Sequence, residues 1–221
     1  MKIIKNHAEE GCIKISWYTE KTDLLGPFFR FVLWVQGCER RCRGCIAEHM
    51  QSCEGGENIS IDKLASLIIS SPDTEGITIS GGEPFYQADR LCSLLETVKK
   101  ERSDFGVIIY TGYTCDELKN SGEKAVLKLL EMTDILIDGP YIEELDDNAG
   151  LRGSSNQNVR FLTNHYAENA KQYNKPSGRR VSFIFTDDRT RMIGVPSQAA
   201  KEILKKTGLK NLPESSAGNT N

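Results

Sequence analysis

Three cysteines fall within one short segment, Cys38-Glu39-Arg40-Arg41-Cys42-Arg43-Gly44-Cys45, with the spacing C-x3-C-x2-C. Thiolates this close can grip three corners of a cubane [4Fe–4S] cluster, whereas an ordinary electron-transfer cluster takes four cysteines. Three ligands leave one iron open to a substrate or cofactor, as in a catalytic metal site. Zinc is the rival reading, with His49 or Cys53 completing a tetrahedral set. The other cysteines, Cys12, Cys53, Cys92 and Cys115, read as small core or surface residues. Cys92 sits beside an apolar helical face, and Cys53 also stands as a candidate redox or ligand residue.

Further candidates follow other predicted strands. Ser80-Gly81-Gly82-Glu83-Pro84 pairs two glycines, which let backbone approach a ligand closely, with a carboxylate able to hold an ammonium group. Tyr110-Thr111-Gly112-Tyr113 and Asp138-Gly139 follow the next two strands. Each is an ordinary turn if taken alone. Together with the cysteine loop they make four elements at the carboxyl ends of successive strands. In a parallel β/α barrel, open or closed, those ends share the face where active sites are built.

The elements that must hold these loops are legible from periodicity. Residues 28–35 (FFRFVLWV) form a nearly continuous apolar run, the pattern of a strand buried on both faces. Residues 13–18 alternate weakly and predict an edge strand. Ile61, Leu64, Ala65 and Ile68 follow helical spacing behind Ser60 as N-cap. Strands are predicted at 77–79, 107–110 and 135–137. Helices are predicted around Leu91, Leu94, Leu95 and Val98, at 116–118 and at 123–130, with a break at Gly122. This alternation predicts an α/β fold with a parallel sheet. Residues 143–158 are polar and rich in Gly, Asn and Ser, and read as a long ordered loop of the functional kind. A hairpin around Asp187-Asp188, a helix over 197–206 and a frayed tail over 211–221 complete the chain.

Composition narrows the function classes. Lys and Arg total 28 against 31 Asp and Glu, a net charge of −3. A general nucleic-acid or anionic-membrane binder would carry a basic excess instead. No apolar stretch is long enough to span a bilayer, and residues 1–12 carry no apolar export segment, so a cytoplasmic protein is expected. An odd count of seven cysteines argues for metal or redox use over a disulfide framework.

The cysteine loop together with Gly81-Gly82-Glu83-Pro84 resembles the radical S-adenosylmethionine superfamily. The closer resemblance is to the activating enzymes of anaerobic ribonucleoside-triphosphate reductase. It rests on Gly26-Pro27 with Arg30, Gly44, Thr111-Gly112-Tyr113, Asp138-Gly139 and Arg152-Gly153-Ser154-Ser155-Asn156-Gln157, and covers residues 24–160. The chain departs from that family at Phe28, Phe29 and Pro140, and in about 60 residues that follow the Ser-Ser-Asn-Gln segment.

The resemblance implies an incomplete (β/α) barrel with residues 24–160 as the core. Residues 1–23 and 161–211 would be elaborations, and 212–221 a flexible tail. It implies one [4Fe–4S] cluster on Cys38, Cys42 and Cys45, whose open iron is chelated by S-adenosylmethionine. One electron then splits the sulfonium into methionine and a 5′-deoxyadenosyl radical. That radical takes hydrogen from a glycine of a partner glycyl-radical enzyme, here anaerobic ribonucleotide reductase, with a flavodoxin- or ferredoxin-type reductant. Ser80, Gly81, Gly82 and Glu83 are expected at the methionine end, and Gly44 and Ile46 beside the adenine or methionine portion. Thr111 and Asp138 are expected to contact the amino-acid part or the ribose. Arg152 is a candidate for the carboxylate or for docking, or is a solvated arginine. Arg40, Arg41 and Arg43 would offset cluster charge or receive an acidic reductant, or form a solvated basic loop. Phe28, Phe29, Phe31 and Trp34 would shield the cluster or serve the core. A radical enzyme acting on another peptide or small molecule, and a zinc-stabilised binding module without catalysis, are the alternatives.

Overall fold

The computed structural model describes residues 2–5, 8–71, 73–170, 179–185 and 190–207. A seven-stranded sheet has the order β3-β1-β2-β4-β5-β6-β7, built from β1 (Cys12–Thr22), β2 (Arg30–Val35), β3 (Glu57–Ser60), β4 (Gly76–Gly81), β5 (Gly106–Tyr110), β6 (Ile135–Asp138) and β7 (Asn158–Phe161). The four central strands β2, β4, β5 and β6 are parallel. Antiparallel β1 and β3 flank them on one side and antiparallel β7 on the other. The fold is therefore mixed α/β around a parallel centre. β8 (Val181–Phe185) and β9 (Thr190–Gly194) form a separate antiparallel pair.

The expected edge strand at 13–18 lies one position inside the edge, because β3 pairs outside it from Cys12↔Ser60 to Ile15↔Glu57. Both β3 and β7 are four residues long; β3 carries one apolar side chain, and the alternation of Asn158-Val159-Arg160-Phe161 in β7 runs for only two repeats, too short a period to mark a strand. The expected strand at 28–35 begins only at Arg30. Phe28 takes a φ of 59°, and Phe28 and Phe29 are exposed. The predicted tail lies outside the described residues, as does the turn of the predicted hairpin.

Helices α1 (Ile61–Ser70), α2 (Ala88–Glu101), α3 (Cys115–Lys119) and α4 (Lys124–Glu131) return the chain between strands. Ser60 caps α1 by accepting from the Lys63 amide, and Thr114 with Glu117 forms a capping box on α3. The side-chain period of two sorts each strand. Phe31, Leu33, Val35, Ile77, Ile79, Val107, Ile109 and Leu136 pack with the helices in one core. Val32, Trp34, Ile108, Ile135 and Ile137 belong to two smaller clusters on the opposite face. There Ile193 of β9 joins Trp17, Trp34 and Met50. A last helix, α5 (Gln198–Thr207), follows β9.

The amino-terminal ends of the parallel strands are closed by Arg30, which is fully buried. Its guanidinium donates to Thr78 Oγ1 (2.9 Å), Ile77 O (2.8 Å), Gly106 O (2.9 Å), Pro27 O (3.3 Å) and Tyr166 Oη (2.7 Å). Space for this fork exists because Gly26, Gly76 and Gly106 stand around it. A Cβ on Gly26 would meet Arg30 Cδ at 2.8 Å, one on Gly76 would meet Arg30 Nη2 at 2.6 Å, and one on Gly106 would overlap the Tyr166 ring.

Candidate active site

The parallel register determines what meets at the other end of the sheet. Val35 pairs with Gly81, so β2 and β4 leave the sheet side by side. Three residues later β2 reaches Cys38, while β4 passes directly into Gly82-Glu83. Gly82 N donates to Val35 O (2.8 Å) and Glu83 N to Gly37 O (2.9 Å), which ties the two exits together. The glycines serve this approach first. A Cβ on Gly82 would overlap Gly37 O, and one on Gly81 would meet Val35 O at 2.5 Å and Val35 N at 2.7 Å. Gly81 also has a φ of 101°, where a side chain is strained.

A cavity of about 240 Å³ opens at these exits, on the sheet face away from the helices. Cys38, Cys42 and Cys45 all line it, together with Ile46, Ser80, Gly81, Gly82, Glu83 and Thr111. The structure thus brings together all but three of the expected site residues. All seven cysteines are free thiols, and the three in the loop are half-buried. Burial pushes the Cys38 thiol up to about 11 and raises Cys45 as well, so metal binding there must displace protons. Among the described residues, no group of three or more His, Cys, Asp or Glu side chains is gathered as the ligand set of a metal ion. A cubane places its irons at separate corners and so does not ask its thiolates to meet at one point. His49 also lines the cavity, whereas Cys53 does not.

Glu83 is the electrostatic centre of the site. It is 1% exposed, and it accepts from Thr111 Oγ1 (2.8 Å), Gly112 N (2.9 Å) and Phe85 N (3.1 Å). These three bonds leave one of the carboxylate's roughly four acceptor positions for a ligand's ammonium. Burial pushes Glu83 up to about 7, against the pull of its three donors and of Arg40. The Arg40 guanidinium lies 4.6 Å from the Tyr113 ring centre, and its Nε is buried with no hydrogen-bond partner among the described residues. An unpaired donor in the cavity wall suits an acceptor that arrives with a ligand. Arg41 and Arg43 are exposed on the loop and do not line the cavity.

Asp138, Arg152 and Gly44 stand away from the cavity lining. Asp138 is on the helix face with Leu136, two residues before it. It accepts from Cys115 N (2.8 Å) at the start of α3 and from Arg160 Nε (2.9 Å). Arg152 pairs with Asp147. Gly44, with a φ of 71°, lets the loop pass the Glu143 carboxylate, which a Cβ there would meet at 2.9 Å. Phe31 is core, and Phe28 and Phe29 do not line the cavity, while Trp34 does. Trp34 stacks on Trp17 with ring centres 4.0 Å apart.

Several lining residues carry no motif: Trp17, Met50 and Tyr141, and the C-terminal Thr190, Arg191, Met192, Val195, Pro196 and Lys201. No local signal marks them, because a side chain enters the cavity by tertiary placement.

The family model described as a 4Fe-4S single cluster domain matches residues 24–160. An anaerobic ribonucleoside-triphosphate reductase-activating protein of Vibrio cholerae is 33% identical over 145 residues, 62% of this chain and 91% of the relative. The protein of the same name from Enterobacteria phage T4 is 30% identical over 138 residues, 61% of this chain and 85% of its own. That from Escherichia coli K12 is 29% identical over 144 residues, 62% and 91% respectively. With its three thiols on one cavity, and a match that takes in the whole cysteine loop and the glycine-glycine-glutamate exit, this chain belongs to the 4Fe-4S single cluster domain family and to the reductase-activating proteins within it.

Proposed function

We propose that the chain is a radical S-adenosylmethionine enzyme that generates a glycyl radical on an anaerobic ribonucleoside-triphosphate reductase. The observation that carries this reading is the meeting of the three-cysteine loop with Ser80-Gly81-Gly82-Glu83 on one cavity, in a chain of this family. Cys38, Cys42 and Cys45 would hold one [4Fe–4S] cluster. Together, the bound cluster and S-adenosylmethionine supply a one-electron cleavage of a C–S bond that yields a 5′-deoxyadenosyl radical.

The chain's own residues orient and enclose. Glu83 offers its remaining acceptor position to the ligand's ammonium, with Ser80 and Thr111 beside it. Ile46, Met50, Trp17 and Trp34 exclude water from the reacting end. Arg40 balances the charge of thiolates and sulfides. Asp138 and Arg152 act on the site at one remove, Asp138 by fixing α3 and β7 and Arg152 by ordering the 147–157 loop. We read the sheet, with its helices on one face and its cavity on the other, as an incomplete β/α barrel with residues 24–160 as the catalytic core. Residues 1–23 and 161–211 are then additions, and 212–221 a tail.

Free cysteines support a cytoplasmic enzyme, a net charge of −3 speaks against nucleic-acid and anionic-membrane partners, and the exposed Arg41 and Arg43 beside the cysteines offer basic charge to a flavodoxin- or ferredoxin-type reductant. Among the described residues no helix is long and apolar enough to cross a membrane.

Anaerobic reconstitution with iron and sulfide, followed by S-adenosylmethionine and a reductant, tests the reading. Methionine and 5′-deoxyadenosine should form, and a co-incubated reductase should acquire an oxygen-sensitive glycyl radical signal. Cleavage without a radical on the reductase would move the enzyme to another peptide or small-molecule substrate. Stoichiometric zinc without sulfide would overturn the radical chemistry.

A further inference from the structure

The segment after residue 178 lies beyond the family's domain, yet it forms one side of the cavity. Thr190, Arg191 and Met192 of β9, Val195 and Pro196 after it, and Lys201 of α5 line the same space as the three cysteines. The Arg191 guanidinium lies 5.0 Å from the Trp17 ring centre, and Ile193 is buried against Trp17 and Trp34.

This side is fastened by a buried ionic knot at the edge of the cavity, which Lys201 reaches. Asp146 accepts from Arg179 Nη1 (2.8 Å) and from Lys201 Nζ (2.6 Å), and the side chains of Asp146 and Arg179 are each 1% exposed. Arg179 also donates to Pro196 O (3.1 Å) and to Arg152 O, and Lys201 to Tyr141 Oη (2.7 Å). Gln198 adds Nε2 to Asp146 O (3.0 Å) and its backbone amide to Asn148 Oδ1 (2.9 Å). The 146–157 loop and the C-terminal segment are thus locked together around the Asp146 carboxylate.

We propose that residues 179–185 and 190–207 form a specificity wall for the polypeptide substrate, held against the cavity by the Asp146 latch. The inference rests on the activating reading above. The wall belongs to substrate choice because the shared chemistry does not require it. The match to the Vibrio cholerae protein takes in 91% of that relative, which leaves it too few residues to build a comparable wall. The wall also shows apolar groups to solvent, with Phe185 67% and Ile203 60% exposed, as a protein-docking surface does.

The test uses the full chain with the fully buried pair of the latch removed, Asp146→Asn with Arg179→Met, so that neither partner is left as a lone buried charge, while Lys201, 17% exposed, keeps Tyr141 Oη. The single substitution Arg179→Met is the second variant should the double one fold poorly. In the metal-free protein, tryptophan fluorescence reports the wall directly, since Trp17 and Trp34 are the chain's two tryptophans and both line the cavity. The variant should shift that emission and speed proteolysis within 179–185 and 190–207. After reconstitution it should cleave S-adenosylmethionine without reductase at the wild-type rate. Its KM for the reductase in radical transfer should rise about tenfold, the scale of losing an organised contact surface. A released wall with unchanged KM would overturn the proposal, as would unchanged emission and proteolysis. A wild-type chain that cleaves no S-adenosylmethionine would instead count against the activating reading, while the fluorescence still decides whether the latch holds the wall.

Discussion

The Thr111 hydroxyl donates to Glu83 Oε1 at 2.8 Å, and through that bond the exits of β4 and β5 become one structure. Gly112 N closes the second carboxylate oxygen at 2.9 Å, so a single buried side chain sets the spacing of two loops that border the cysteines. The carboxylate that faces a ligand is also the carboxylate that assembles the rim. Substituting it therefore changes shape as well as charge.

This gives a pH prediction. Glu83 holds its proton up to about 7 in the fold, above the ordinary 4.5. Its contribution to stability is therefore complete below about 4.5 and is lost as pH rises through about 7. Urea unfolding of the metal-free chain should show wild type losing up to roughly 3 kcal/mol relative to Glu83→Gln between pH 4.5 and 8. A parallel pH course for the two proteins would show that Glu83 is ionised throughout.

Gly82→Ala should disturb the site more than the core. Its Cβ would collide with the Gly37 backbone, so β2 and β4 must part just before Cys38. A stability loss of about 1–3 kcal/mol is expected, with a lower iron and sulfide content after reconstitution. Gly122→Ala is the control. It has a φ of 74° and open space around it, and should cost about 1 kcal/mol with full cluster content.

Cysteine substitutions should divide by position. Serine at Cys38, Cys42 or Cys45 should abolish the brown iron–sulfur absorbance. Serine at Cys12 or Cys53, which lie off the cavity, should leave it intact. Retained colour in Cys45→Ser, or lost colour in Cys53→Ser, would reassign the ligands.

At the far end of the sheet, Tyr166→Phe removes one partner of Arg30 and should cost about 1–2 kcal/mol in urea unfolding. Arg30→Lys should cost more, roughly 3 kcal/mol or above, because an ammonium cannot reach five acceptors arranged for a fork. Cluster content at low temperature should be unchanged in Tyr166→Phe, since the knot lies at the end of the strands opposite the cysteines. An Arg30→Lys protein as stable as wild type would show that the buried fork contributes nothing net.

The parallel strands, their helices and the meeting of the cysteine and glycine loops are legible in the sequence, because each rests on a strong local period or on a strand-to-loop boundary. Two strands escape it. β3 is short and polar and β7 alternates over only four residues, so their pairing with β1 and β6 defines them more than their own pattern does. Asp138 is misplaced for a different reason. It follows a strand, as the other candidates do, but counting by twos from Leu136 puts it on the helix side, and that count is available in the sequence. Arg30 sits in an apolar run where a charge suggests exposure, and its burial depends on acceptors distant in sequence. The C-terminal wall leaves no trace because the residues that make it part of the site are held by Asp146, more than thirty positions earlier than Arg179.

The two flanks of the parallel block carry a further consequence. β1 lies antiparallel against β2, and β7 antiparallel against β6. Neither neighbour offers the strand direction that another repeating unit of strand and helix would need, so the parallel repeat stops at four strands. What the chain adds beyond it comes either as an antiparallel strand, as β3 does outside β1, or across the open mouth, where it meets the incoming macromolecule.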